Sequence, residues 1–346
     1  MRGLVYSGVN EMTIKEFPDP IPGAGWVVVD IKVTSLCGSD LGTLTDPNHN
    51  RNLIMGHEGA GVVSAVGAGV TKVKPGDRVA LFHIVSCNKC KWCMAGYPQF
   101  CTEDRRALAG IEQGTDATKC LVKEENCLPL PDDVSYAVGA FIGCFAGTSF
   151  SAMKKLGPNG TNTVAVSGLG PVGLCGVIYA KAMGARVVGI DGIDVRLDLA
   201  KNGLGAYCAD EVINYRETDV VKALKDMTGG AGPDRLYETS GAIRAQMNLI
   251  NAAATQGIMV CVGFGVHLGD QGDAKVSLYP IIGKELTIRG SSIMPRYNHY
   301  EILDFIKAKN IDLEKMITHR FKFDEIIEAM RLFATGRTGK VVVDVG

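Results

Sequence analysis

Apolar and polar positions change their period several times along the chain, and each change marks an element. The opening stretch, MRGLVYSGVNEMTIKEF (1–17), alternates apolar and polar residues, the period of a half-buried strand. It has no long apolar core and no small-residue cleavage site, so it is read as structure and not as a signal peptide. From Gly56, the run GHEGAGVVSAVGAGVTKVKPGDRVA places glycine at 56, 59, 61, 67, 69 and 76, with valine-rich segments between. That punctuation predicts short antiparallel strands and tight turns forming a small barrel, not a helix. Further on, TVAVSGLGPVGLCGVIYAKAMGARVVGID (163–191) reads as a strand, a glycine turn, an apolar helix and a second strand. DEVINY (210–215) reads as a short strand, and VVKALKDMTGG (220–230) as a helix ended by Gly229 and Gly230. PDRLYETSG, GIMVCVGFG and ELTIRGSS supply later strands. EILDFIKAKNI (301–311) and EIIEAMRLFATG (325–336) read as helices, and GKVVVDV (339–345) as a closing strand. Strands alternating with helices predict a doubly wound parallel sheet. The fold class is therefore α/β: a small β-barrel followed by a doubly wound unit.

The 346 residues suffice for two domains, and 46% apolar against 21% charged residues allows large cores. A formal net charge of −1 gives no basic face for nucleic acid. No uninterrupted apolar run has membrane-spanning length; residues 163–180 come nearest, but glycines break them. These features predict a cytoplasmic protein with neither nucleic acid nor membrane as partner. Eleven cysteines in such a chain point to thiols or metal ligands before disulfides. Cys120, Cys127, Cys175, Cys208 and Cys261 stand singly and read as ordinary small residues.

CNKCKWCMAGYPQFC (87–101) is different, with Cys87, Cys90, Cys93 and Cys101 at spacings of three, three and eight. Overlapping CxxC turns bring thiolates together with little loop-closure entropy, and Cys101 completes a tetrahedral set suited to Zn²⁺. Lys89 and Lys91 offset part of the thiolate charge. A redox dithiol needs only one such pair. Four protein thiolates leave no open position, so this zinc is expected to hold a loop together and not to do chemistry. A catalytic zinc takes three protein ligands. SLCGSD offers Cys37 and MGHEGAG offers His57, each where a loop emerges from an apolar segment.

Taken together, CGSD, GHEGAGVVSAVGAGVTKVKPGDRV and the four-cysteine loop resemble the zinc-dependent medium-chain alcohol dehydrogenases along essentially the whole chain. The resemblance implies a GroES-like β-barrel catalytic domain over 1–146 with a zinc lobe. It implies a Rossmann cofactor domain over 147–294 and a return to the first domain over 295–346. It supplies a third catalytic-zinc ligand, Cys144, where polyol and threonine dehydrogenases usually carry glutamate. Glu58 matches a glutamate able to approach the metal, and Asp40 the carboxylate that orients the metal-bound histidine. Two Zn²⁺ per chain are expected, one catalytic and one structural.

In the nucleotide half, Gly168, Gly170 and Gly173 form G-x-G-x-x-G, with Pro171 and Val172 inside it, between a strand and a helix. The helix N-terminus offers unpaired N–H groups to a pyrophosphate. Asp191, at the end of the next strand, can accept hydrogen bonds from ribose hydroxyls and would repel a 2′-phosphate, so NAD is favoured over NADP. Arg196 argues the other way, although relatives that use NAD carry a basic residue there. By resemblance, Thr148 packs on the nicotinamide and Lys340 contacts the cofactor phosphates. Taken alone, Lys340 reads equally as a solvated lysine before an edge strand.

The implied reaction is hydride transfer between an alcohol and NAD, giving an aldehyde or ketone, with Ser39 as the relay hydroxyl. Many relatives end that relay on a histidine where this chain has Gly42; His49 is a candidate substitute. Phe82, Phe145 and Leu44 are expected around the substrate. The loop from Leu41 to Leu53, with Asp46, Asn48 and Asn50, is expected at the entrance. A polyol or amino-alcohol dehydrogenase is the alternative enzyme. A zinc-free quinone or enoyl reductase shares the fold, but Cys37, His57 and the cysteine loop oppose it. A non-catalytic dinucleotide- or zinc-binding protein is the rival of another class. The resemblance also implies a dimer or tetramer.

Overall fold

The computed structural model describes residues 1–49, 52–110, 112–264 and 277–346. Two sheets organise it. The first is a six-stranded, all-parallel sheet in the order Glu211–Asn214, Arg186–Asp191, Thr163–Ser167, Arg235–Glu238, Ile258–Cys261, Thr287–Gly290. The order reverses direction around the central strand Thr163–Ser167. That reversal opens a crevice at the carboxyl ends of the strands, where ligands bind in open parallel sheets. Val164 and Val166 are fully buried, as a strand covered on both faces requires. Helix Pro171–Ala182 follows at once and is apolar nearly all round, with Leu174, Cys175, Val177, Ile178 and Tyr179 buried.

The second sheet has seven strands. Trp26–Ser35 pairs antiparallel with Gly59–Val66, Lys119–Lys123 and Lys340–Asp344. Gly59–Val66 continues to Arg78–Leu81 and then Cys127–Pro129. Ile317–Lys322 pairs parallel with Lys340–Asp344. The last strand therefore lies between two others and is not an edge, so Lys340 starts it fully buried instead of solvated. The opening stretch is also not one strand. Arg2–Gly8 and Glu11–Glu16 form a hairpin turning at Asn10, whose φ of 60° an asparagine tolerates. Most of the expected entrance loop's first half is helical, within Gly38–Thr45; Asn50 lies outside the described residues.

Helices Tyr136–Ile142 and Phe145–Leu156 connect the two sheets, bent by 52° at their break. Both are apolar because both are core: Phe141, Ile142, Phe145, Ala146 and Met153 are buried. Among the described residues no single helix is long and apolar enough to cross a membrane.

Candidate active site

The four-cysteine loop folds into a helical turn, Lys91–Met94, and a 3₁₀ turn, Pro98–Phe100, which present the thiols inward. The sulfurs of Cys87, Cys90, Cys93 and Cys101 all lie within 4.8 Å of one another. Backbone N–H groups point at them: Cys90 to Cys87 Sγ at 3.3 Å, Asp104 to Cys101 Sγ at 3.3 Å, Cys87 to Cys101 Sγ at 3.5 Å. Such donors favour thiolate over thiol, and backbone hydrogen bonds from around Cys93 and Thr102 hold Cys90 down at about 6. Lys91 lies over the Trp92 ring at 5.2 Å.

A second cluster is assembled from separated segments. Cys37 follows strand Trp26–Ser35, His57 precedes strand Gly59–Val66, and Cys144 occupies the break between the two connecting helices. One ligand atom from each, with one from Glu58, again fits within 4.8 Å. Asp40 holds two of them: its Oδ1 lies 3.0 Å from His57 Nδ1, and its Oδ2 accepts the Cys37 N–H at 2.9 Å. Nε2 of His57 is thereby turned inward, the arrangement a metal-bound imidazole needs. Ser39 Oγ sits 3.4 Å from Cys37 Sγ and 3.5 Å from His57 Nε2, and Ser39 is exposed.

The electrostatics mark the cluster as short of positive charge. The hydrogen bond from Cys144 holds the Cys37 thiol well below its ordinary value, and donating it raises Cys144. Burial works against a charged His57, yet Asp40 and Cys37 outweigh it and raise the imidazole. Burial pushes Glu58 up to about 7 against the pull of Lys340. Glu58 Oε2 accepts from Ser35 Oγ at 2.6 Å and from Lys340 Nζ, while Oε1 is buried with no partner. A buried carboxylate oxygen with nothing to bind, beside two thiols and an imidazole, is the donor set a divalent cation satisfies. The residues therefore fit a zinc ion.

Lys340 is not the solvated residue that its sequence position alone allows. It borders the cleft, but its ammonium donates to Glu58 and to the Leu36 carbonyl at 2.6 Å and stacks 4.1 Å from the Phe145 ring. The residue is fully buried, and its charge is engaged with Glu58 at the wall of the cleft.

The cleft beside the cluster has a volume of about 880 Å³ and runs from Cys37 to Asp191 and Arg196. The glycine turn shapes it. Gly168 has φ 89°, and a Cβ on Gly173 would stand 1.8 Å from the Gly168 carbonyl, so neither position admits a side chain. Gly170 faces open space, with only Arg196 Nη1 at 4.0 Å, and caps helix Pro171–Ala182 without a side-chain partner for its free N–H groups. Pro171 and Val172 line the same wall. Asp191 accepts three backbone N–H bonds, from Leu169 at 2.7 Å, Gly192 at 2.7 Å and Ile193 at 3.1 Å. Arg196 Nε donates to the Thr338 carbonyl at 3.2 Å. Thr148 returns its hydroxyl to the Cys144 carbonyl at 2.9 Å. Leu44 and Phe145 line the cleft. Phe82 does not; it is fully buried in a cluster with Ile84, Leu128 and Met294. His49 is half-buried with its ring edge-on to Tyr6 at 5.7 Å.

Two residues beside these sites escape the sequence reading. Glu238, fully buried, ties down the turn after its strand by accepting from Ser240 and Gly241. His83 lies with its ring 5.2 Å from that of His57, and burial, then the charge of His57, pushes it down to about 3. Strand alternation beside Phe82 was the signal for His83; Glu238 had only its place at a strand end.

Residues 23–132 match the family described as alcohol dehydrogenase GroES-like domain, and residues 171–308 that described as zinc-binding dehydrogenase. The chain is 33% identical to an L-threonine 3-dehydrogenase of Pyrococcus abyssi, over 93% of this chain and 92% of that one. It is 29% identical to a sorbitol dehydrogenase of Bacillus subtilis, over 95% and 92%. An Escherichia coli CFT073 alcohol dehydrogenase solved with NADH superposes with a TM-score of 0.88 at 28% identity, covering 99% of each chain.

Proposed function

Because the chain belongs to the zinc-type alcohol dehydrogenases of the medium-chain dehydrogenase/reductase superfamily, we propose that it transfers hydride between an alcohol and NAD, giving an aldehyde or ketone. One observation carries the reading: Cys37, His57 and Cys144 converge beside the inner end of a nucleotide cleft, with Glu58 Oε1 unsatisfied among them. Cys37, His57 and Cys144 would hold the catalytic zinc, and Cys87, Cys90, Cys93 and Cys101 a structural one. When bound, zinc supplies Lewis acidity toward the substrate oxygen, and the nicotinamide supplies the hydride acceptor.

The chain's own groups do the rest. Asp40 fixes the tautomer and direction of His57. The N-terminus of helix Pro171–Ala182 and the open face of Gly170 hold the pyrophosphate. Asp191 takes the adenosine ribose, which favours NAD; Arg196 borders the same end of the cleft. Thr148, held by its hydroxyl on the Cys144 carbonyl, would pack on the nicotinamide. Ser39, the exposed group touching both Cys37 and His57, passes the alcohol proton outward. Leu44 and Phe145 keep the reacting end apolar.

The relatives named L-threonine 3-dehydrogenase and sorbitol dehydrogenase favour a second reading, an amino-alcohol or polyol as substrate. Eleven cysteines with no disulfide among them suit a reducing, cytoplasmic setting. Exposed Leu278, Tyr279 and Ile282 beside the edge strand Thr287–Gly290 support the expected homo-oligomer. The test is a screen of primary, secondary, aromatic and polyhydroxylated alcohols with NAD and with NADP, following reduced-cofactor absorbance, on protein assayed for metal. Two zinc ions per chain and NAD-linked oxidation are expected. Zinc-replete protein that oxidises none of them overturns the reading.

A further inference from the structure

At its Asp191 end the cleft reaches two helices, Val220–Asp226 and Ile243–Ala252. Val220, Leu224, Leu249 and Ile250 share one buried cluster, which locks the two helices together. Tyr215, Val220, Arg244, Ala245 and Asn248 line this end. Tyr215 N–H donates to the Asp191 carbonyl at 3.1 Å, so the slot lies directly beside Asp191. Arg244 and Asn248 stand four residues apart on one face of their helix, with Ala245 on the same side.

Asn248 is half-buried, and its carboxamide is unused: among the described residues neither Oδ1 nor Nδ2 has a hydrogen-bond partner. Other polar groups lining the cleft are engaged by the protein. Asp191 holds three backbone N–H groups. Thr239 Oγ1 donates to the carbonyls of Ser167 at 3.0 Å and Gly168 at 2.7 Å, and Ser240 Oγ donates to Glu238 at 2.6 Å. Arg244 is exposed and has no carboxylate partner among the described residues. Val220 and Ala245 offer apolar surface, while Tyr215 and Arg244 are flat groups that stack on rings. A slot with apolar faces and one free carboxamide suits a flat heterocycle with a donor beside an acceptor on its edge. Adenine presents that pair in its 6-amino group and N7, and a carboxamide meets both at once.

We infer that Asn248 reads the base of the dinucleotide: its Oδ1 accepts from the adenine 6-amino group and its Nδ2 donates to N7. The inference rests on the reading that the cleft takes an adenine dinucleotide with its ribose at Asp191, and goes beyond it by making the base itself a determinant of binding. Hypoxanthine carries an oxo group in place of the amino group, so the same edge shows two acceptors and the carboxamide meets only one. The carboxamide oxygen then faces an acceptor and is left unpaired, which is how a polar contact discriminates between close analogues. The ribose 2′ position plays no part, so this preference is independent of the choice between NAD and NADP.

The test needs no alcohol. Zinc-loaded protein is titrated with NADH and with reduced nicotinamide hypoxanthine dinucleotide, and calorimetry gives both dissociation constants. The wild type binds NADH about fivefold more tightly, the order of one hydrogen bond. Asn248→Leu, similar in size and without the carboxamide, brings that ratio to one and leaves the ratio of NADH to NADPH affinities unchanged. Asn248→Asp, an acceptor with no donor to turn toward the oxo group, keeps the preference for NADH. Equal affinities in the wild type, or a preference for NADH that survives in Asn248→Leu, overturn the assignment and leave the cofactor reading standing. Failure to bind either dinucleotide overturns both. A preference for NADH that Asn248→Leu abolishes, in protein that oxidises no alcohol, upholds the role of Asn248 and removes the proposed activity.

Discussion

The two cysteine clusters reach the same ligand spacing by opposite routes. Cys87, Cys90, Cys93 and Cys101 come from one short loop, and the donors around them are backbone N–H groups of that same loop. Cys37, His57, Glu58 and Cys144 are brought together only when strands Trp26–Ser35 and Gly59–Val66 pair and the two connecting helices dock. The side chains supporting them, Asp40, Ser35 and Lys340, come from both ends of the chain. A loop that carries its own ligands can hold a metal with little help from the fold. A cluster that depends on the whole fold gains what the loop lacks: a buried, unevenly charged setting beside a cleft.

The sharpest way to break the comparison is to remove one thiol from each. Cys144→Ser should lower alcohol oxidation about a thousandfold, since Lewis-acid stabilisation is worth several kcal/mol, while one zinc per chain stays in the loop. Cys93→Ser should release the loop's zinc and open residues 87–101 to protease, with the Cys37 cluster still loaded. Metal analysis of both variants decides; equal loss of activity would mean the two clusters are not separable.

Next in size is the buried pair behind the split cluster. Lys340 and Glu58 are both fully buried, so Lys340→Met strands a carboxylate and should destabilise the protein by about 3–5 kcal/mol. Adding Glu58→Gln should return part of that stability, because it removes the stranded charge. Denaturant midpoints of the two variants give the answer, and a double variant no more stable than Lys340→Met contradicts it. Asp40→Asn removes both the charge and the acceptor geometry that hold His57, and should weaken zinc binding or turnover by about 10–100-fold.

The same contrast explains what could be read from sequence. The four-cysteine loop and the glycine turn are local patterns, so spacing alone located them, and period changes gave the strands and helices around Thr163–Ser167. The split cluster was legible only through a resemblance, because nothing local ties Cys37 to Cys144. The edge-strand alternative for Lys340 fails because strand Ile317–Lys322 pairs outside it; its sequence, ITHRFK, has no clean alternation and passed unseen. Without that strand, Lys340–Asp344 looked like an edge and its first residue looked solvated. The hairpin turn at Asn10 and helix Gly38–Thr45 were missed for a related reason: one polar left-handed residue and one short helix rich in Gly, Ser and Thr both resemble loop. Phe82 was placed at the substrate by resemblance, whereas by residue type it reads as core; it packs with Ile84, Leu128 and Met294.

The smallest effect expected concerns how self-sufficient the loop is. Asn88, between the first two cysteines, has φ 57°, and its Oδ1 accepts from Arg296 Nη1 and Nη2 at 3.2 Å each. Arg296 belongs to the segment after the parallel sheet, so this contact is a distant tether on an otherwise local structure. Asn88→Gly keeps the left-handed backbone at no steric cost and cuts the tether together with two local bonds to Ser86, at 3.2 and 3.4 Å. Bonds to a partly exposed guanidinium are worth about 1 kcal/mol, so zinc should leave the loop to a chelator about fivefold faster, with the Cys37 cluster unchanged. An unaltered release rate would mean the loop holds its metal without that contact; a loss from both clusters would mean that the loop and the split site share one support.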